Sequence, residues 1–259
     1  MFVGGRPALR RALATSSLAE LVTDPADADC ALVDVASLTP TAHASACRYP
    51  FLPSLPLVIV SALGVDRLMG ASPYLGEVAR AENTAAKARA DHVVLRCAPM
   101  DVDLVQIARQ IKDFAAVRGS FTDAPVPWLA VDDLIEVIAV LTTEPMKHTG
   151  NVYELTGQEL ATVPMVVTQL ATALGSRAQY HSLGPAQLVA ALCSSVSWDF
   201  DMASRVPGHQ QWIGSGLLPN LLIEQTLRRP ARSLNACIAR AASTVTRQRT
   251  THQDISATK

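Results

Sequence analysis

The stretch Leu55 to Gly64 (LPLVIVSALG) constrains the fold of this chain more than any other. A continuous apolar run of strand length, ending on Ser61 and Gly64, reads as a strand buried on both faces, as in a parallel sheet. Ser72 and Pro73 then open a helix rich in Ala, Glu, Arg and Lys that runs to about Ala90, and His92-Val93-Val94-Leu95-Arg96 is a strand again. Strand, helix, strand is the alternation of an α/β protein with right-handed crossovers. Ligands of such folds sit at the carboxyl ends of strands. Ser61 and Tyr74, the latter in the first turn of the following helix, are therefore the first candidates for chemistry.

The same alternation extends in both directions. Met1-Phe2-Val3-Gly4-Gly5 is a short strand running into a glycine turn, with a helix from Pro7 to Ser16. Leu18 to Val22 and Cys30 to Val35 read as further short strands around the loop Thr23 to Asp29, before a connection punctuated by Pro50, Pro53 and Pro56. Val102 to Val117 forms a helix, Pro127 to Val131 a strand, Leu134 to Thr142 a helix with Asp132 or Asp133 as its cap, and Val152 to Thr156 a last strand. Beyond Gly157 the regular alternation stops. Helices are expected over Val163 to Leu174, Pro185 to Ser194, Leu217 to Leu227 and Ser233 to Ala242, with a short strand from Gln179 to Leu183. The aromatic and polar stretch from Ser195 to Gly216 has no assigned element, and the polar residues from Ser243 onward read as a disordered tail.

The predicted fold class is thus α/β: a doubly wound parallel sheet over residues 1–157, a smaller, mostly helical region over 158–242, and a tail over 243–259. With 49% hydrophobic residues in 259 the core is ample, and a net charge of −1 gives no field for nucleic acid or an anionic membrane. The five cysteines are scattered, without the spacing of a metal site or disulfide framework. The first residues lack the apolar centre of a signal peptide and no apolar run spans a bilayer, so the expectation is a cytoplasmic protein.

Several blocks, in order, resemble the NmrA-like branch of the atypical short-chain dehydrogenase/reductase proteins. Val60-Ser61-Ala62-Leu63-Gly64 resembles that family's strand ending in serine, and Tyr74 through Glu82 its YxxxKxxxE helix. Val94-Leu95-Arg96 with Pro99 is similar to its ILRPG strand, Trp128 through Leu134 to its V-D-V-x-D-I segment, and Asn151 through Gly157 to its YELTGP strand. Ile223 through Leu234 is similar to its terminal ERLTGRPPRS block. The resemblance, over roughly residues 1–240, implies a Rossmann fold, here a shortened Rossmann-like sheet, an NAD(P) cofactor and a pocket covered by the C-terminal region.

The departures from the pattern bear on function. Of the family's glycine-rich turn, GxxGxxG, Gly4 survives, followed by Gly5 and Arg6, while Pro7 and Arg10 stand where the other two glycines belong. Proline removes an N–H donor and arginine adds bulk where a pyrophosphate needs close approach. Arg6 or Arg10 is alternatively a charge for a phosphate. Where the family places an arginine for NADP after the second strand, this chain has Asp24. One strand–helix unit is expected to be missing between Val35 and Leu55. The lysine one turn after the tyrosine is replaced by Val78, so Tyr74 is expected to keep the ordinary phenol value of about 10, as a hydrogen-bond donor and a poor base.

Candidate catalytic residues are Ser61, Tyr74, Asp199 and Asp201, and candidate cofactor contacts are Gly4, Gly5, Arg6 and Asp24. Met100, Trp198, His209 and Trp212 are candidate substrate contacts, and no metal site is expected. Each has a plainer alternative. Ser61 reads equally as a strand-end hydroxyl bonding its own loop, Asp132 and Asp133 as caps, Asp199 and Asp201 as turn residues, and an isolated histidine as structural. The leading reading is a degenerate dinucleotide site, with no NAD(P) or only weakly bound NAD(P). Its pocket acts on an apolar small molecule by non-redox chemistry such as cyclisation, isomerisation or dehydration, in secondary metabolism. The alternatives are an NAD(P)H-dependent oxidoreductase with a variant turn and a non-catalytic nucleotide-sensing regulator.

Overall fold

The computed structural model describes all residues except 19, 23, 40–54, 71, 196–197 and 257–259. A five-stranded parallel sheet holds β1 (Phe2–Gly4), β2 (Ala31–Asp34), β3 (Leu57–Ala62), β4 (His92–Cys97) and β7 (Val152–Leu155), in that spatial order. The small pairs β5 (Ala116–Gly119) with β9 (Gln179–Ser182), and β6 (Val126–Pro127) with β8 (Leu160–Ala161), lie outside it. The helices are α1 (Pro7–Thr15), α2 (Val65–Leu68), α3 (Pro73–Ala88), α4 (Asp101–Phe114), α5 (Val131–Thr143) and α6 (Pro145–His148). They continue with α7 (Val163–Ala173), α8 (Pro185–Ser195), α9 (Phe200–Ile213), α10 (Leu222–Leu227) and α11 (Leu234–Ser256).

The central strands are apolar on both faces because both faces are covered. Val33, Leu57, Ile59 and Val94 pack with α3, α4, α7 and α11, whereas Leu32, Val58, Val60, Val93 and Leu95 pack with α1, α5 and α10. The α/β class is as expected. The hand of the crossovers is not uniform, however. The steps β1 to β2 and β3 to β4 go the same way across the sheet, yet α1 and α3 lie on opposite faces, so the two units have opposite hands and one departs from the right-handed rule.

The strand order also never reverses. In doubly wound dinucleotide folds the first strand lies mid-sheet, order 3-2-1-4-5-6, and the ligand sits at the reversal. Here β1 is an edge, and no described strand pairs with its outer side. Strands β2 and β3, on either side of the stretch from Val35 to Leu55, pair directly in continuous register from Ala31↔Leu57 to Asp34↔Val60, and most of that stretch lies outside the described residues. The described residues of the stretch Leu18 to Val22 form no strand, and the connection through Pro50 and Pro53 lies outside the described residues.

Three further expectations are corrected. Strand β6 ends at Pro127 and helix already begins at Val131. The stretch from Ser195 to Gly216 contains a fourteen-residue helix, α9, with Pro207 inside it. The tail expected from residue 243 is helix as far as Ser256, and Val245 is buried in the core. Among the described residues, no helix is long and apolar enough to cross a membrane, and no cluster of His, Cys, Asp and Glu is suited to a metal ion.

Charged side chains lock the elements that carry the site. Arg96 on β4 reaches Glu82 of α3 at 2.8 Å and Asp66 of α2 at 2.8 Å. The fully buried Asp133 of α5 accepts from the backbone N–H of Arg232 at 2.8 Å and from the guanidinium groups of Arg229 and Arg232, and Asp132 pairs with Arg240 at 2.6 Å. Asp132 and Asp133 are therefore neither catalytic nor the N-cap, which is Ala130. Asp133 anchors the block Ile223 through Leu234, and Asp132 ties down Arg240 of α11 beyond it.

Candidate functional site

The carboxyl ends of β1, β2 and β3 and the N-terminus of α4 converge on one cationic side chain, Arg6. It is the N-cap of α1, and Pro7 after it leaves its side chain to fold back over the strand ends. Asp34, the last residue of β2 and fully buried, accepts from the Arg6 backbone N–H at 3.0 Å, from Nε at 2.7 Å and from Nη2 at 3.3 Å. Arg6 Nη1 reaches Asp103 of α4 at 3.3 Å. Asp103 in turn accepts from the Met100 N–H at 2.9 Å, as the second half of a capping box. Burial works against the Arg6 charge, but Asp34 and Asp103 more than offset it and hold the guanidinium well above its ordinary value.

Gly5 explains how the chain comes so close. Its φ is +142°, and a Cβ there would lie 2.2 Å from Asp34 Cβ and 2.9 Å from the Asp34 carbonyl oxygen. In a dinucleotide fold the glycine of this turn makes room for a pyrophosphate. Here the room is taken by Asp34. Two of the donors at the start of α1 are likewise withdrawn: the Arg6 N–H and guanidinium face a carboxylate, and Pro7 has no N–H, which leaves the N–H groups of Ala8 and Leu9. The residues present therefore do not fit a dinucleotide phosphate in this arrangement. Arg10 is exposed and takes no part. Asp24, also exposed, caps the single turn Pro25–Asp27 through the Ala26 N–H at 2.9 Å, and the described residues between α1 and that turn form no strand.

Beside this ion pair lie the retained hydroxyls. Ser61 is fully buried near the end of β3, opposite Arg96 in register, and alternation puts it on the face of β3 that α3 covers. Tyr74, in the first turn of α3, is 3% exposed. Among the described residues neither Ser61 Oγ nor Tyr74 Oη has a hydrogen-bond partner, and nor does the buried Ser72 Oγ at the start of α3. Burial pushes the Tyr74 hydroxyl above the ordinary phenol value; Arg6 opposes the shift, and Asp34 and Asp103 add to it. A cation does stand near this tyrosine, contrary to the sequence reading, but burial outweighs it and the group stays a donor. Val78, in place of the lysine, is fully buried in the core.

Helix α9 closes over Tyr74. Gly208 makes that approach possible: a Cβ there would lie 2.9 Å from Tyr74 Cβ. The His209 ring stands edge-on to Tyr74 with centroids 5.2 Å apart, and Trp212 lies 6.0 Å from Tyr74 and 5.6 Å from His209. Burial lowers the His209 pKa, with Asp103 and Asp34 opposing and Arg6 adding to the effect, so the imidazole is neutral at pH 7. Trp212 is buried and donates from Nε1 to the Leu63 carbonyl at 3.0 Å, and Arg205 donates to the Leu38 carbonyl at 3.0 Å, pinning α9 to both strand ends. Glu77 of α3 lies 3.9 Å from Arg205.

The structure thus brings together Gly4, Gly5, Arg6, Tyr74, His209 and Trp212, with Ser61 buried at the end of β3 on the face that α3 covers. It leaves out Asp199 and Asp201, whose carboxylates do helix work instead. Asp199 is the exposed N-cap of α9, accepting from the Met202 N–H at 2.9 Å, and the side chain of Asp201, 81% exposed, pairs with Arg205 at 3.1 Å. Trp198 is exposed, and Met100 is a core residue on the face of the sheet covered by α1, α5 and α10. Asp34, Asp103 and Gly208 were missed. Asp34 alone carried a signal: an aspartate inside an apolar strand is almost never buried without a partner.

No family model and no curated protein matches the chain. Solved structures do share its fold. The complex of an Escherichia coli NADPH-dependent quinone oxidoreductase with NADPH superposes with a TM-score of 0.67 at 19% identity, over 91% of this chain and 87% of that one. A Staphylococcus aureus nucleoside-diphosphate-sugar epimerase gives 0.59 at 13% identity, over 82% and 77%. The Citrobacter sp. triphenylmethane reductase complexed with NADP(H) gives 0.57 at 12%, over 84% and 81%. At these identities the likeness is one of fold, and the chain has the Rossmann-type α/β fold that these proteins share.

Proposed function

We propose that this chain, which resembles the NmrA-like proteins, has a degenerate dinucleotide site, and that its cleft takes an apolar small molecule and acts on it by moving protons rather than hydride. The observation that carries this reading is the pair under α9: an unpartnered Tyr74 hydroxyl held protonated beside a His209 imidazole held neutral, rings 5.2 Å apart. A protonated donor next to a neutral acceptor suits general acid–base chemistry. Isomerisation, dehydration or cyclisation of a carbonyl compound needs no more than that, with Ser61 as a second donor and the water-poor setting strengthening each contact. A cytoplasmic setting in secondary metabolism suits a reused dehydrogenase fold.

A second reading is an NAD(P)H-dependent oxidoreductase, favoured by the fold shared with the NADPH complex. It requires Arg6 to leave Asp34 and face a phosphate. Incubating a panel of apolar carbonyl compounds with the protein in D2O, without any nicotinamide, separates the two. Proton-transfer chemistry washes deuterium into a bound compound, and Tyr74→Phe and His209→Gln each suppress the exchange while the compound still raises Tm. Turnover that depends on NADPH, with exchange unaffected in both variants, contradicts the proposal.

A further inference from the structure

We infer that Asp34 is a built-in occupant of the phosphate place at the β1–α1 turn, so that the ligand of the cleft is one without a phosphate group. The inference rests on the reading of a degenerate site and narrows its substrate class. Three observations converge on it. Asp34 accepts from the backbone N–H that begins α1 and from two nitrogens of Arg6, the set of donors an anionic ligand of such a turn takes. Its Cβ occupies the space that Gly5 leaves open, 2.2 Å from where a side chain of residue 5 would start. The buried Tyr74 hydroxyl, whose pKa responds to Arg6, Asp34 and Asp103, has no partner, so the same cluster ends in an unused donor for a neutral acceptor such as a carbonyl oxygen.

The carboxylate belongs to a strand, not to a mobile loop. Asp34 sits in register with Val60 of β3, and its Oδ1 also accepts from the Ala36 N–H at 3.1 Å. A phosphorylated ligand therefore competes with a covalently tethered anion that is always present at the turn, and like charges repel it. A neutral ligand meets no such competition. Arg6 then serves to neutralise Asp34 and Asp103, in place of holding a cofactor.

The test uses the whole chain and inorganic pyrophosphate as the probe, followed by isothermal titration. Wild type and Asp103→Asn, which both keep Asp34, show no binding. Asp34→Asn, which loses the charge, and Asp34→Gly, which loses the Cβ as well, loosen the hold on Arg6 and bind pyrophosphate more tightly than wild type by about tenfold or more, Asp34→Gly the more tightly of the two. Adding Arg6→Gln to Asp34→Asn removes the gain. If loss of the carboxylate unfolds the chain, pyrophosphate restores the circular dichroism of the Asp34 variants and not of an Arg6→Gln variant. Pyrophosphate binding by wild type as tight as by the variants overturns the inference, and so do Asp34 variants that neither gain affinity nor are restored. A failure of that kind leaves the proton-transfer reading standing, because deuterium exchange in the wild type decides that reading by itself.

Discussion

The claim that Asp34 fills the space of the β1–α1 turn makes a quantitative prediction for Gly5→Ala. Two costs add in the wild-type background. A φ of +142° is closed to L side chains, at about 1–3 kcal/mol. A methyl group 2.2 Å from Asp34 Cβ forces a backbone shift, at a further ~1–3 kcal/mol. Gly5→Ala therefore loses about 2–6 kcal/mol in all. In an Asp34→Gly background the 2.2 Å overlap with the side chain is removed, while the 2.9 Å approach to the carbonyl oxygen of residue 34 and the φ cost remain, so the two substitutions couple by the side-chain share alone, ~1–2 kcal/mol. Urea unfolding of the four proteins of the cycle, at constant m, reads that coupling directly. The cycle cancels the separate cost of stripping Arg6 of its partner. Costs that add to within about 0.5 kcal/mol would refute the argument, because they would mean that Asp34 does not occupy the turn.

Other residues make independent predictions. Tyr74→Phe removes a buried hydroxyl that has no partner, so Tm holds or rises, while proton-transfer activity falls by about 10²–10⁴; a loss of more than ~1 kcal/mol of stability would show that the hydroxyl is bonded. Asp133→Ala leaves Arg229, Arg232 and the Arg232 N–H without their buried acceptor, at about 3 kcal/mol in denaturant unfolding. Burial pushes the Asp101 carboxyl up to about 7, although Arg240 and the Val131 N–H pull it down. The fold therefore keeps a proton that the unfolded chain releases at lower pH, and wild-type stability falls as pH rises from about 4 to 7 and levels off above. Asp101→Asn retains an acceptor for Val131 and abolishes that slope, gaining ~2–4 kcal/mol on wild type at pH 8. Parallel pH profiles of Tm for the two proteins would contradict this.

The strands of the sheet were legible because each is an apolar run closed by Gly, Pro or a charge, and the helices at 7–15 and 73–88 because proline opens both. What escaped was set by distance or by packing. The apolar residues Leu18 to Val22 look like a strand, but none of the described strands pairs with the outer side of β1. Pro207 and Gly208 hid α9, since both disfavour helix locally; close packing on Tyr74 requires the glycine and overrides that preference. The polar residues after 243 carry too few apolar positions to show a period, yet Ala241, Ala242 and Val245 suffice to seat the helix. Asp199 was read as an acid, though an aspartate opening a helix is first of all a cap. The glycine-turn departures and Val78 were legible in the sequence as departures from the family pattern. That the turn holds an ion pair between residues 28 apart in sequence is a property of the folded chain.

The central claim, that this Rossmann-type fold has exchanged its dinucleotide site for an internal ion pair, is tested most directly by isothermal titration of the wild-type chain with NADPH and with NADH. The account predicts no saturable binding of either at millimolar concentration. A micromolar Kd for either cofactor would contradict it.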